Sequence, residues 1–235
     1  GSLDPTASGP SRAFLWQSGE FTLLPTPDGM GSFAIGINNH GQVLGYVVNR
    51  DWSVHRGVLW HDGRMTELGT LGGESIQPIA INNRGQVIGS IPVTLGSTHA
   101  VLWTNGVVVD LVPGGSEHYG SASAINDAGL VVGRVDGQPV FWYRERMTRI
   151  GPPGYAGEAL VVNDRGDIGG RIWPDSIAPD GPETLAFRWH ADRLTVLSSP
   201  DNKVDLQVVG IDDRGRLAGM VGDNHGGHAV VWDVR

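Results

Sequence analysis

The sequence predicts an all-β fold made from one unit repeated five times, and three observations predict it. A short phrase of the form Ile-Asn-Asn-x-Gly, with Asp for Asn in three copies and Val for Ile in one of these, returns five times along the 235 residues. Six tryptophans, Trp16, Trp60, Trp103, Trp142, Trp189 and Trp232, recur at nearly even intervals around its copies. Between these marks lie short apolar runs bounded by turn residues, and no stretch carries a helical period. A repeat that spans the whole chain argues for a single closed domain over residues 12–235, after a tag scar and N-terminal tail at 1–11.

The second copy shows the elements in order. Ile76 to Ile81 reads as a first strand, Gln86 to Ile91 as a second, His99 to Trp103 as a third and Val107 to Leu111 as a fourth. Four short strands in roughly 40–45 residues match the blade of a β-propeller. Five hairpins then imply five blades of four antiparallel strands, with Arg12–Leu24 completing the blade begun by Leu206–Val234. The sixth Trp strand is surplus to that count, which leaves six blades, one of them partial, as the alternative.

The five phrases run from Asn38, Asn82, Asn126, Asn163 and Asp212, and each has a glycine three residues on, at Gly41, Gly85, Gly129, Gly166 and Gly215. That glycine stands where a tight hairpin needs a left-handed backbone, and the Asn or Asp side chains hydrogen-bond the backbone just before it. A further glycine follows at Gly45, Gly89, Gly133, Gly170 and Gly219. Inside a strand it permits close approach, with the neighbouring Trp expected to cover the bare backbone and to belong to the core.

Spacing divides each unit into a constant and a variable half. From each Trp to the next hairpin Asn or Asp the distances are 22, 22, 23, 21 and 23 residues. From each strand glycine to the next Trp they are 15, 14, 9, 19 and 13. The variation falls in the connection from second to third strand, on the face shared with the blade-entry loops, and variable loops on a constant scaffold carry function. The loops to watch are Asn49–Arg56, Ile91–Thr98, Val135–Gln138, Ile172–Glu183 and Val221–Gly227, with the entry loops Pro25–Gly31, Gly72–Gln77, Gly114–Gly120, Gly151–Glu158 and Ser199–Asp205.

Composition narrows the partners. A formal net charge of −8 without a Lys or Arg run disfavours nucleic acid and anionic membranes, and no apolar run is long enough for a transmembrane helix. The absence of cysteine excludes disulfides and thiolate metal sites. The acidic turn residues Asp127, Asp164, Asp212 and Asp213 lack the alternating spacing of a calcium loop, so neither a metal nor a cofactor is expected. A monomer is the expected state.

The third-strand phrases Arg12-Ala13-Phe14-Leu15-Trp16, His99-Ala100-Val101-Leu102-Trp103 and His228-Ala229-Val230-Val231-Trp232 add to this pattern. Together with Ile-Asn-Asn-x-Gly-Gln-Val-x-Gly and Leu68-Gly69-Thr70-Leu71-Gly72-Gly73, the chain resembles the HAF-repeat family, named for its His-Ala-Phe strand. The resemblance covers essentially the whole chain and implies an extracellular repeat protein, without implying an activity. The third copy departs from it at Gln138-Pro139-Val140-Phe141-Trp142, and the fourth at Leu185-Ala186-Phe187-Arg188-Trp189 after a long insertion. The family position accounts for His99, His228, Arg12 and Arg56 as structural residues, and tight turns account for His40, His61 and His190.

What remains lies in the variable loops. Glu117, His118 and Tyr119 place a carboxylate, an imidazole and a phenol in one entry loop, a set able to serve proton transfer. Trp173, beside Asp175 in the longest loop, and Trp52, near His55, offer apolar faces with an N–H donor suited to sugars or flat organic ligands. Glu74, Tyr155, Glu158 and His225 fall in other loops of the same face. The leading expectation is a propeller that binds a small molecule or glycan there. The alternative is a cofactor-independent lyase, hydrolase or cyclase of specialised metabolism with His118 as acid or base, and a third is a surface-interaction module. No nucleophile elbow, phosphate loop, zincin or dinucleotide motif occurs.

Overall fold

A computed structural model describes residues 2–3, 10–71, 76–93, 96–112, 114–115, 117–175, 184–197, 206–223 and 226–233. The chain forms two compact units, Gly1–Ser116 and Glu117–Arg235. Apart from a 3-10 residue at Gly96, the regular structure of the described residues is β. No helix among the described residues is long and apolar enough to cross a membrane.

The first unit holds three sheets. β1 (Ser2–Leu3), β2 (Arg12–Gln17) and β3 (Glu20–Leu23) form a three-stranded sheet. β4 (Gly31–Ile37), β5 (Val43–Val48), β6 (His55–His61) and β7 (Arg64–Glu67) form a four-stranded one, as do β8 (Gln77–Ile81), β9 (Val87–Pro92), β10 (Thr98–Thr104) and β11 (Val107–Asp110). The second unit repeats the pattern with β12 (Gly120–Ile125), β13 (Val131–Val135), β14 (Gln138–Tyr143) and β15 (Arg146–Arg149). β16 (Tyr155–Val162), β17 (Ile168–Pro174), β18 (Leu185–His190) and β19 (Arg193–Leu197) follow, then the three-stranded β20 (Leu206–Ile211), β21 (Leu217–Asp223) and β22 (Gly226–Trp232). Every sheet is an antiparallel meander of consecutive strands, the form propellers use as blades. The Trp16 and Trp232 strands belong to different sheets, so the shared blade expected from Arg12–Leu24 and Leu206–Val234 is not formed by strand pairing among the described residues.

Within each unit the sheets stack face to face, because their middle strands are apolar on both sides. Val43 and Val47 pack with Ala13, Leu24 and Trp60, while Leu44, one residue out of phase, packs with Ile76, Val87 and Val101 of the next sheet. In the second unit Val132 and Ile150 meet Ile168 and Phe187, and Ala186 and Leu197 meet Leu206 and Leu217. Trp60, Trp103 and Trp142 are buried as expected. Trp189 and Trp232 are half-buried yet pack against the core, while Trp16 is 59% exposed, so the expectation that all six belong to the core fails at Trp16.

The Asn-Asn-x-Gly turns do more than reverse the chain. Asn38 Oδ1 accepts the backbone N–H groups of His40 and Gln42, closing its own hairpin, while Nδ2 donates to Gln42 Oε1 and to the Asn82 carbonyl of the next sheet. Asn126 reaches the Asn163 carbonyl at 2.8 Å, and Asn163 reaches the Asp212 carbonyl at 2.8 Å. A single buried amide therefore both shapes a turn and stitches it to its neighbour. Asp212 has no amide to pass on, and its carboxylate instead takes the Arg216 guanidinium at 2.7 Å.

The strand glycines answer to a feature absent from the sequence reading. In five sheets the first strand carries a bulge just after the residue paired with the glycine, at Ile35, Ile79, Ser123, Leu160 and Val209. There a Cβ on Gly45, Gly133, Gly170 or Gly219 would collide with the carbonyl of Phe33, Ser121, Glu158 or Gln207. Trp60 and Trp232 do cover Gly45 and Gly219, whereas Phe187 covers Gly170.

Candidate functional site

The residue after each strand glycine stands in a row across its sheet. The rows read Phe33–Tyr46–Gly57, Gln77–Ser90–Ala100, Ser121–Arg134–Pro139, Glu158–Arg171–Ala186 and Gln207–Met220–Ala229. The third-strand member is always small or a proline, while the first two vary in size and charge. Side chains with chemistry thus stand on strands, beside the loops named from sequence.

In the first unit the row of β4 to β6 is aromatic. Phe33 and Tyr46 stack with centroids 5.2 Å apart, and the His55 ring lies 4.4 Å from Tyr46 at 25°. Trp52 lies 5.5 Å from Phe33, so Trp52 and His55, named from sequence, flank two aromatics that were missed. Burial pushes the His55 imidazole below its ordinary value, and its Nδ1 has no hydrogen-bond partner.

Trp52 is held out to solvent, 58% exposed, by a loop that is itself bonded together. Its backbone has φ of 61°, a left-handed conformation costly for a bulky residue. Trp52 N donates to the Asn49 carbonyl, Asn49 Nδ2 to Ser53 Oγ at 2.8 Å, and Ser53 N and Oγ both to Asp51 Oδ1. The Ser53 hydroxyl, then its N–H, holds the Asp51 carboxyl below the usual range. Between this loop and the preceding segment opens a groove of about 420 Å³, lined by Phe33, Val48, Trp52, Asn49, Arg50 and Ser11.

In the second unit the rows are charged. Arg171 grips Glu158 Oε1 with Nε and a terminal nitrogen, each at 2.6 Å. Arg134 approaches Glu158 Oε2 only to 3.9 Å. The Arg134 guanidinium lies over the Tyr119 ring at 5.4 Å, and that of Arg171 over the Trp173 ring at 5.9 Å. Glu158, Tyr119 and Trp173 were named from sequence as separate loop residues. Two of these placements change: Glu158 lies within β16, and Trp173 lies in β17, which runs on to Pro174.

His118 sits beside this cluster, and its partner is Asp136, not Glu117. Nδ1 lies 2.7 Å from Asp136 Oδ2, and the Tyr119 N–H donates to Oδ1 of the same carboxylate. Partial burial works against the charged Asp136, but the Tyr119 N–H and His118 outweigh it and hold its carboxyl low. Glu117 is exposed. Tyr155 starts β16, packs into the core and accepts a hydrogen bond from Gln138 Nε2 on its carbonyl, while Asp175 is exposed. Glu74 and His225 lie outside the described residues. No group of three His, Asp or Glu side chains able to hold a metal occurs among the described residues.

Arg134, Arg171, Phe33 and Tyr46 stand on strands, just outside the loops expected to carry function. The signal for the second-strand residues was the changing residue after an invariant glycine. The His-position residues prove to be paired with their fourth strands: His99 Nδ1 with Asp110 at 2.7 Å, and Arg56 with Glu67 at 2.9 Å.

No protein-family model matches the chain, and no characterised protein matches its sequence. Solved structures do match in fold. A puromycin-hydrolysing peptidase of Mycobacterium tuberculosis aligns with 99% of this chain at 12% identity and a TM-score of 0.58. The Pyrococcus horikoshii acylaminoacyl peptidase aligns with 86% of the chain at 12% identity and a TM-score of 0.48, covering 33% of the peptidase. TolB from Acinetobacter baumannii aligns with 91% at 11% identity and a TM-score of 0.43, covering 57% of TolB. The chain spans 43% of the Mycobacterium peptidase, and at this identity the likeness is one of fold: an all-β chain of consecutive antiparallel sheets.

Proposed function

We propose that this chain is a ligand-recognition β-propeller of the HAF-repeat type, which binds a small molecule or glycan in the groove beside Trp52. The observation that carries the reading is the groove itself, about 420 Å³, with Phe33 and Trp52 on its walls and Arg50, Asn49 and Ser11 as polar groups. Such a volume with two aromatic faces and a few convergent polar groups suits one sugar ring or a flat organic molecule. The self-bonded loop around Trp52 supports it further, because an exposed aromatic fixed in advance loses little freedom on binding. The separate sheets of the Trp16 and Trp232 strands favour six blades over five.

Calorimetric titration against a panel of monosaccharides, oligosaccharides and aromatic metabolites tests the assignment. A ligand whose affinity falls at least about tenfold in Trp52→Ala supports it, the loss expected when a central aromatic anchor is removed. Unchanged affinity in that variant, or no ligand from the panel, overturns it. A second reading, general acid or base chemistry at His118, has one observation behind it, the 2.7 Å pairing of its Nδ1 with Asp136. Turnover of an identified substrate that survives in His118→Phe removes that reading.

A further inference from the structure

We infer that the second unit carries an organic-anion site separate from the Trp52 groove, in which Arg134 and Arg171 hold the carboxylate of a flat, apolar-bodied ligand beside Tyr119 and Trp173. Two guanidinium groups share one carboxylate there, so the cluster of Arg134, Glu158 and Arg171 has a surplus positive charge. The sharing is unequal. Both short contacts to Glu158 come from Arg171, at 2.6 Å. Arg134 stands 3.9 Å from the other carboxylate oxygen, beyond hydrogen-bond reach, with its side chain 29% exposed. Its Nε is buried and has no partner.

A guanidinium offers five in-plane donors and no acceptor, and leaving a buried donor unmet costs more than an average hydrogen bond returns. Stacking on an aromatic ring satisfies a guanidinium's face and none of its edge. Tyr119 and Trp173 cover such faces at 5.4 and 5.9 Å; the Arg171 edge is already on Glu158, whereas that of Arg134 is left for a planar acceptor. A carboxylate is planar and matches the fork of an arginine with two parallel hydrogen bonds. Tyr119 remains 38% exposed and Trp173 half-buried, so both keep apolar surface for the body attached to that carboxylate.

The row geometry fixes these groups before any ligand arrives. Glu158 and Arg171 are directly paired across β16 and β17, and Arg134 is paired with Ser121 across β12 and β13. Glu158 is a positioning residue: it aligns Arg171 and competes with an incoming anion for the same donors.

The test uses the whole chain, with benzoate as probe and acetate, benzamide and inorganic phosphate as comparisons, read by calorimetry and by the arginine Nε–Hε signals in NMR. Benzoate is expected to bind and to shift the Arg134 signal, acetate to bind more weakly and benzamide not at all. Arg134→Gln should weaken benzoate at least about tenfold, and Arg134→Lys, with the charge but not the fork, should fall between. Glu158→Gln should tighten it at least about threefold by removing the competing carboxylate, a gain that no misfolded variant would show. No benzoate binding, equal binding of benzamide, tighter binding of phosphate, or affinity unchanged or weaker in Glu158→Gln each overturns the proposal. Trp52→Ala should leave benzoate affinity as it is, which separates this site from the Trp52 groove.

Discussion

His55 shows how one side chain combines packing with titration. Its ring stacks on Tyr46, its Nδ1 is unpartnered, and burial lowers its affinity for a proton below the ordinary value. The folded state thus binds fewer protons there than the unfolded state. The stability His55 contributes is complete above about pH 6.5 and is lost as pH falls through its lowered folded value. The carboxyls of Asp136, Asp167 and Asp212, also lowered, have the same sign but act below about pH 4. Thermal unfolding between pH 7 and 5 should therefore show a falling midpoint, and His55→Phe, which keeps an aromatic against Tyr46, should flatten that fall. An equal fall in the variant would assign it elsewhere.

At the scale of the element, the hairpins divide the stabilising roles. Asn163 uses both its acceptor positions and both amide hydrogens, on Arg165, Asp167 and the Asp212 carbonyl. Asp167 beside it is buried; desolvation opposes its charge, yet Asn163, Arg188 and His190 keep it ionised. Asn163→Asp would set a second carboxylate against that one and remove two donors, a loss of about 2–4 kcal/mol in urea unfolding. Asn163→Leu should cost less, since it adds no second buried charge beside Asp167. The other turns behave differently: Arg144 and Glu145 form a two-residue hairpin with φ of 50° and 64°, a left-handed pair without glycine. Glu145→Gly should stabilise the fold by about 1 kcal/mol, measured the same way.

The sequence made strands easy to place and their irregularities hard. The second copy's strands agree with β8 to β11 to within a residue or so at most ends, because alternation and turn residues bound them on both sides. The bulges at Ile35, Ile79, Ser123, Leu160 and Val209 carry no single residue type, and only the clash waiting at the paired glycine betrays them. Trp173 read as a loop residue because it falls in the longest glycine-to-Trp interval, whereas β17 runs on to Pro174, and proline is tolerated at a strand's end. Arg134 and Arg171 were overlooked for the opposite reason, as members of strands that otherwise repeat.

At the scale of the whole chain, Trp60, Trp103 and Trp142 of the middle sheets are buried, and Trp16 and Trp232 of the first and last sheets are less so. Trp60 is 1% exposed and Trp142 likewise, while Trp16 is 59% exposed. Repeat arrays of this kind owe much of their stability to interfaces between adjacent units. Native-state hydrogen exchange should accordingly find slower amides in β5, β9, β13 and β17 than in β2 and β22. Uniform protection across all six would show that the end sheets are covered in solution.

The row set by the strand glycine also bears on how such a chain changes. Each bulge, glycine and small third-strand residue rebuilds the same frame, so the side chain after the glycine is exchanged in one sheet while its neighbours keep their seats. Tyr46, Ser90, Arg134, Arg171 and Met220 are five letters written in one reading frame. A substitution at any one of them changes what that sheet presents and leaves its bulge, its glycine and its ladder as they were.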